Sequence, residues 1–360
     1  MRYQTLLLAV FTAAHSFTSQ AAPKPLVGVY YFDGWADRTA GNFDIKMMPT
    51  NYAQREPLSG WYDDSAELVH RQVVDARFAG IDFFLFDWYD ADRAMNTTDK
   101  TLNAALALFK EDRKKLGMKY ALLYVNDGSF SVPQSNWDVT CRKWVKEYLT
   151  DPNYQRIDNR PLFVVYNARA MESMWGGPQS AAAALAHLRQ TAKNAGLPDL
   201  FLMTCATPGP TNGWNDLGSL AQEGYDAFTG YNYVGIAGTQ KGSNPYAKLI
   251  RGHEEIWDAF ASDGRRPYVP VVTDGWDSRP WAETDFWYER TPVEFEDFVD
   301  LALKWWRVHP KMHVTEDRPF ILIEAWNELG EGSYIMPTKG DGDAYPARFF
   351  SKGHIDASIY

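Results

Sequence analysis

Two glutamates near the C-terminal end are spaced for proton chemistry. They lie in the run Asn327-Glu328-Leu329-Gly330-Glu331-Gly332, directly after an apolar stretch. Gly330 and Gly332 flank the second glutamate and leave the backbone free to turn there. Carboxylates three residues apart can then lie on one side of a tight turn. Like charges held that close raise one pKa, so that one group serves as acid and the other as base near neutral pH. Paired carboxylates of this kind hydrolyse glycosidic bonds. An ordinary acidic loop would show the same spacing, so the pair alone leaves both readings open. Most glycosidases flank the scissile bond with carboxylates from different strands. Two glutamates on one loop more naturally serve one side of a sugar ring. That suggests displacement by a hydroxyl of the substrate itself.

Other chemistries lack their residues. There is no Gly-x-Ser-x-Gly elbow, no His-Glu-x-x-His, no phosphate-binding Gly-x4-Gly-Lys-Ser/Thr and no Gly-x-Gly-x-x-Gly. His253-Glu254-Glu255 reads as a polar stretch of helix. Cys141 falls in a helical pattern and Cys205 at a strand end, and two cysteines are too few for a disulfide framework or a structural zinc site. Asp341-Gly342-Asp343 offers two acids of a calcium loop, but a solvated turn accounts for it better. Asn96-Thr97-Thr98 is a formal glycosylation sequon. No cofactor and no metal are expected.

The elements that would position the glutamates recur along the chain. Eight short β-rich runs appear: Leu26–Phe32, Ile81–Trp88, Lys119–Val125, Pro161–Tyr166, Leu200–Cys205, Tyr225–Tyr231, Pro267–Thr273 and Pro319–Trp326. Several are almost continuously apolar, as in strands buried on both faces of a parallel sheet. Helical patterns lie between them at Ser65–Ala79, Asp99–Leu116, Asn136–Leu149, Ser180–Ala195, Ala247–Ser262 and Pro292–Val308. Ser65 is a candidate N-cap and Gly117 a candidate C-terminal stop. Alternating strands and helices with no linker predict a single-domain α/β fold, a closed (β/α)8 TIM barrel. The loop of about thirty residues after the first strand is long for such a fold. After the eighth strand only a short helix near Tyr345–Lys352 is expected.

Barrel enzymes work at the C-terminal strand ends. There the sequence places Tyr31, Asp87, Trp88, Asn126, Asp127, Tyr166, Tyr231, Trp276, Asp277, Arg279, Glu324, Trp326 and Asn327 beside the glutamate pair. Aromatic, amide and carboxylate groups thus converge on one face, which suits a sugar ligand as well as an aromatic core. Tyr31, Trp88, Tyr231, Trp276 and Trp326 are expected to line one cleft.

The whole chain has 360 residues, 14 Trp, 20 Tyr and a net charge of −10. An acidic chain with no basic run does not favour nucleic acid. Residues 1–22 read as a cleaved signal peptide, with Arg2, the apolar stretch Leu6–Ala14 and small residues up to Ala22. No later segment is long and apolar enough to span a bilayer. The catalytic domain is therefore expected over residues 23–360, secreted or periplasmic, monomeric and not inserted in a membrane.

The run Ile323-Glu324-Ala325-Trp326-Asn327-Glu328-Leu329-Gly330-Glu331-Gly332 resembles the Asn-Glu-Trp-x-Glu-Gly signature of glycoside hydrolase family 99 and its WbsX-like relatives. Pro57-Leu58-Ser59-Gly60-Trp61-Tyr62-Asp63, Ala79-Gly80-Ile81-Asp82-Phe83-Phe84 with Trp88-Tyr89, and Trp276-Asp277-Ser278-Arg279-Pro280 are similar to WbsX-like elements in the same order. The similarity spans roughly Leu26 to Tyr345. It implies a (β/α)8 barrel and retaining, endo-acting, metal-independent cleavage of α-mannosidic linkages through a 1,2-anhydro sugar. It assigns Glu328 to deprotonation of the 2-hydroxyl and Glu331 to general acid and then base. Glu324 matches a further site carboxylate. Tyr231, Asp277 and Arg279, and Tyr31 on the first strand, match substrate-contacting positions. Leu329 replaces the signature Trp, and Gly330 stands where the mannan enzymes have His, so the reaction type carries over better than the sugar. A polysaccharide or oligosaccharide is the expected partner. The alternatives are a non-hydrolytic glycan-binding or polysaccharide-assembly protein, or another carboxylate enzyme such as a lyase or an inverting hydrolase.

Overall fold

The computed structural model describes residues 23–36, 48–91, 101–112, 116–209, 215–236, 238–281, 284–316 and 318–340. The expected signal peptide, the sequon, Asp341 and Asp343, and the short helix near Tyr345 lie outside the described residues.

Eight parallel strands form the core: β1 (Leu26–Tyr31), β2 (Phe83–Trp88), β3 (Lys119–Tyr124), β4 (Arg160–Val165), β5 (Phe201–Cys205), β6 (Ala227–Thr229), β7 (Val271–Thr273) and β8 (Phe320–Glu324). They pair in the order β6-β5-β4-β3-β2-β1-β8-β7. The remaining joint lies between β6 and β7. It is made just ahead of β7, where Phe228 pairs with Tyr268. The Phe228 N–H donates to Pro267 O and the Val269 N–H to Phe228 O, each at 2.9 Å. The barrel expected from the strand pattern is thus present. The sixth and seventh strands are shorter than their apolar runs, because this joint uses isolated bonds in place of a full ladder.

Helices cover the barrel in turn: α1 (Ala66–Phe78), α2 (Ala104–Glu111), α3 (Trp137–Trp144), α4 (Pro178–Asn194), α5 (Tyr246–Asp263) and α6 (Pro292–Val308). Ser65 caps α1 by accepting the Leu68 N–H at 3.3 Å. α3 runs on into a wider π-turn at Val145–Leu149. Elements not legible in the pattern include the helices Ala168–Trp175 and Leu217–Gln222, the short antiparallel strand Arg156–Ile157 on β4, and a two-stranded ladder of Gly242–Pro245 with Phe286–Glu289. The long segment after β1 contains the helical turns Met48–Asn51 and Ala53–Arg55.

Successive strand residues face opposite ways, and here both ways are buried. On β2, Phe84 and Phe86 pack on Phe109 of α2, with ring centroids 6.0 and 5.4 Å apart. Trp88 continues that outer row onto Trp144 of α3 at 5.1 Å. Asp87 belongs to the opposite, inner row. On β1, Tyr30 points inward and donates to Gly230 O across the barrel at 2.7 Å. Tyr31 points outward onto Phe84 and Phe86.

Asparagine side chains extend the ladder beyond the strand ends. Asn327 accepts the Phe32 N–H at 2.8 Å and donates to Phe32 O at 2.9 Å, tying the end of β8 to that of β1. Asn126 does the same to Asn167, at 2.8 and 2.7 Å, tying β3 to β4. Asn103, ahead of α2, clasps Tyr89 after β2 at 2.9 and 2.8 Å.

Gly28 lies at a tight place in the barrel interior. A Cβ there would sit 2.2 Å from Cζ of Phe83, whose own side chain is fully buried. Gly28→Ala is therefore expected to destabilise the fold by about 1–3 kcal/mol through overpacking, read as a lower urea midpoint with an unchanged slope.

Candidate active site

The mouth of the barrel opens into a cavity of about 400 Å³. Its charged lining is Asp87 from the end of β2, Asp127 after β3, and Glu328 and Glu331 after β8. Aromatic walls come from Phe32, Tyr89, Phe130, Tyr166, Tyr231 and Trp281. Glu328 pairs within a two-residue antiparallel ladder, Asn327–Glu328 against Ser333–Tyr334, so the turn between brings Glu331 back to the same cavity.

Tyr231 organises the carboxylates. Its hydroxyl lies 2.7 Å from Glu328 Oε1 and 3.2 Å from Asp87 Oδ2. A phenol has one proton to donate. Given to Glu328, the shorter contact, it leaves the Asp87 contact in need of a proton from Asp87. Burial, then the nearby Glu328 charge, pushes the Asp87 carboxyl well above its ordinary range, which supplies that proton. The resulting chain runs from the Asp87 carboxyl through Tyr231 to the Glu328 carboxylate. The Tyr231 ring is wedged between Tyr30 and Tyr166, at 4.9 and 5.3 Å.

A second acidic layer lies behind the cavity. Glu324 is fully buried, and burial followed by the Asp274 and Glu328 charges raises its carboxyl well above the ordinary range. Ser333 Oγ lies 2.9 Å from Glu324 Oε2 and 3.0 Å from Asp274 Oδ1. Asp274 is matched by Arg290 at 3.1 Å. Glu324 is thus the neutral partner of that pair.

The loop carrying the glutamates is braced from outside. Arg55 donates to Leu329 O at 2.8 Å, to Asp277 O at 3.1 Å and to the Asp277 carboxylate. Arg279 bonds the same carboxylate through Nε and Nη2, at 2.6 and 2.7 Å. Against the upward push of burial, the Arg279 hydrogen bonds and the Arg55 charge hold Asp277 below the usual carboxylate range. The Asp277 N–H in turn donates to Glu331 O. On the inner side, Trp281 lies where a side chain at Gly330 would be, since a Cβ there would fall 2.1 Å from the indole. Glycine at this position is what lets Trp281 form a cavity wall.

Of the residues expected at the site, Asp87, Tyr231, Glu328 and Glu331 share the cavity. The expected aromatic cleft is corrected in four of its five members. Tyr31 and Trp88 belong to outward strand rows, and Tyr31 donates to Asp63 at 2.8 Å. Trp326 also turns to the helix layer and donates to Gln72 of α1 at 2.9 Å. Trp276 donates to Thr284 at 3.1 Å beside the cavity and does not line it. Asn126 and Asn327 are spent on backbone clasps, Asp277 and Arg279 on the loop brace, and Glu324 on the rear layer. Sequence reasoning missed Trp281, whose one signal is its place two residues after Arg279 and opposite a glycine. It also missed Arg55, which lies in a segment with no strand or helix pattern to give it a position.

The fold and site together define a (β/α)8 barrel with a carboxylate-lined mouth. Similar solved structures share the barrel. A protein described as glycoside hydrolase-like aligns over 94% of this chain and 96% of its own at 17% identity, with a TM-score of 0.63. The GH99 endo-alpha-mannosidase from Bacteroides thetaiotaomicron aligns over 91% of this chain and 97% of its own at 13% identity, with a TM-score of 0.64. The chain belongs to the family described as glycosyltransferase WbsX, whose model matches residues 132–347. No curated protein matches it. Among the described residues, no helix is long and apolar enough to cross a membrane.

Asp87 supplies a pH test of this geometry. Its folded-state pKa is raised, so the folded chain keeps a proton that the unfolded chain has lost above about pH 3.9. Wild-type stability therefore falls as pH rises from there toward the folded value. Asp87→Asn cannot ionise and escapes that loss. It is expected to gain on wild type by up to about 1.4 kcal/mol for each step of one in pH across the window. Urea unfolding at about pH 5 and about pH 7 measures the gap. A gap that stays constant would place a charged Asp87 in the folded chain.

Proposed function

We propose that this chain is an exported, retaining glycosidase that cleaves α-mannoside-like linkages within a polysaccharide, using the substrate's own 2-hydroxyl. The observation that carries the reading is the placement of Glu328 and Glu331 on one turn and in one cavity, with Tyr231 donating to Glu328. The WbsX family membership, the barrel shared with an endo-alpha-mannosidase and the N-terminal segment of the sequence support it.

The first step begins with Glu328 as base. Its carboxylate takes the proton of the 2-hydroxyl, and O2 attacks C1. The C1–O bond to the leaving sugar breaks as Glu331 gives its proton to that oxygen. In the second step the Glu331 carboxylate takes a proton from water, whose oxygen attacks C1. The C1–O2 bond opens, and O2 recovers its proton from Glu328. Two displacements at C1 retain the configuration. Both carboxyls return to their starting states. Phe32, Tyr166 and Trp281 offer aromatic faces for the sugar. Tyr231 holds Glu328 as acceptor, and the neutral Asp87 avoids adding a charge beside it.

The family's description as a glycosyltransferase favours a second reading, in which a sugar hydroxyl replaces water in the second step. Product analysis on mannans, rhamnose-containing and sulfated polysaccharides separates the two. Hydrolysis gives new reducing ends, transfer gives longer chains, and a lyase gives an unsaturated product. On a polymer cleaved by the wild type, Glu328→Gln and Glu331→Gln should each lose on the order of 10²–10⁴-fold in rate. The Glu331→Gln loss should shrink with an aryl leaving group, which needs less protonation. A 2-deoxy substrate should resist cleavage. Near-normal rates in either variant would remove the pair from the chemistry.

A further inference from the structure

A second cavity, of about 200 Å³, lies beside the first, and Tyr166 and Tyr231 line both. The two differ in charge. Every charged residue lining the first is acidic. Among the described residues, Arg169 is the one charged group lining the second, with Asn167, Thr207, Asn215 and Asn232 as polar neighbours.

The place of Arg169 has no structural account. It is exposed, and no hydrogen bond or ion pair joins it to the described residues. Arg160 and Arg189, at the opposite, N-terminal end of the strands, are by contrast both held by Asp226. Arg169 also sits in the first turn of the helix Ala168–Trp175, whose cap is Asn167 accepting the Ala170 N–H at 3.0 Å. A cation there opposes the helix dipole, so helix stability argues against it. A guanidinium kept unpaired at a polar cavity is suited to an anionic oxygen group, which it can bind through two parallel N–H donors.

We propose that this second cavity is a glycan subsite for an acidic sugar, one carrying a carboxylate or a sulfate ester. The proposal rests on the glycan part of the functional reading above. It deepens that reading by giving the substrate a charge pattern. A chain of net charge −10 with an acidic catalytic cavity repels polyanions. One local cation lets an acidic unit bind in a single register, with its neutral neighbour on the other side of Tyr166 and Tyr231 at Glu328 and Glu331. Asparagine amides around Arg169 would take the remaining hydroxyls.

Affinity electrophoresis tests this, with polygalacturonate, a sulfated fucan, the same fucan desulfated, and yeast mannan in the gel. The wild type should be retarded more by an acidic polymer than by the neutral ones. Arg169→Gln should weaken that retardation roughly tenfold, the scale of one charge-assisted hydrogen bond. Arg169→Lys should restore part of it, and salt at about 0.15 M should reduce it. Retardation by polygalacturonate alone identifies the carboxylate, and by sulfated fucan alone the sulfate. Equal retardation of wild type and Arg169→Gln, or no preference for either acidic polymer, overturns the proposal. Release of reducing ends is read separately. Arg169-dependent binding with no cleavage of any polymer would sink the hydrolase reading and leave the subsite standing. Cleavage of a neutral polymer at equal rates by both proteins, with no acidic preference, would do the reverse.

Discussion

Several carboxyl groups crowd, buried, into one end of this barrel. Asp87, Glu324, Glu328 and Asp274 are all buried, and Arg290 pairs with Asp274. Such a cluster stands only if some of its members stay neutral. The surrounding hydroxyls decide which. Tyr231 and Ser333 each touch two carboxyls with a single proton to give. Neither can satisfy two charged carboxylates at once, the less so Ser333, which also reaches Gly275 O at 2.9 Å. Burial pushes Asp87 and Glu324 toward their neutral forms, so neither adds a full charge beside Glu328 at the cavity.

Holding that arrangement is the task of parts far apart in the sequence. Arg55, from the segment after β1, grips the backbone of Leu329 and the carboxylate of Asp277, and Asp277 grips the backbone of Glu331. The turn between the two glutamates is thus fastened from the outside at Leu329 and Glu331. Trp281 presses on it from within, over Gly330. Leu329 and Gly330 are the two positions where the chain departs from the mannan-cleaving signature. The second of them leaves room for Trp281 as a wall of the cavity that Glu328 and Glu331 share.

The barrel was legible because parallel strands buried on both faces read as short, nearly continuous apolar runs. The same property hid part of the site. With apolar residues on both faces there is no alternation from which to tell inside from outside. Tyr31 and Trp88 each lie one residue from an inward-facing neighbour, Tyr30 and Asp87, and a one-residue shift exchanges the two faces. Asp87, Glu328 and Glu331 were legible because a charged group at the end of an apolar run has few structural reasons to be there. Asn126 and Asn327 carry no such distinction, since an amide serves a backbone as well as a ligand. Arg55 was out of reach of any periodic signal because its position depends on tertiary contacts alone.

The asparagine clasps tie the strand ends together through an amide that gives a proton on one side and takes one on the other. Slow chemical deamidation to aspartate would add no bulk, so the packing around it would offer little resistance. It would set an oxygen against the backbone carbonyl of Phe32, Asn167 or Tyr89, turning a bond into a repulsion. It would also add a negative charge at the end of the molecule least able to accept one. An ageing sample would therefore loosen first at the joints of its working face, with the hydrophobic core still intact beneath.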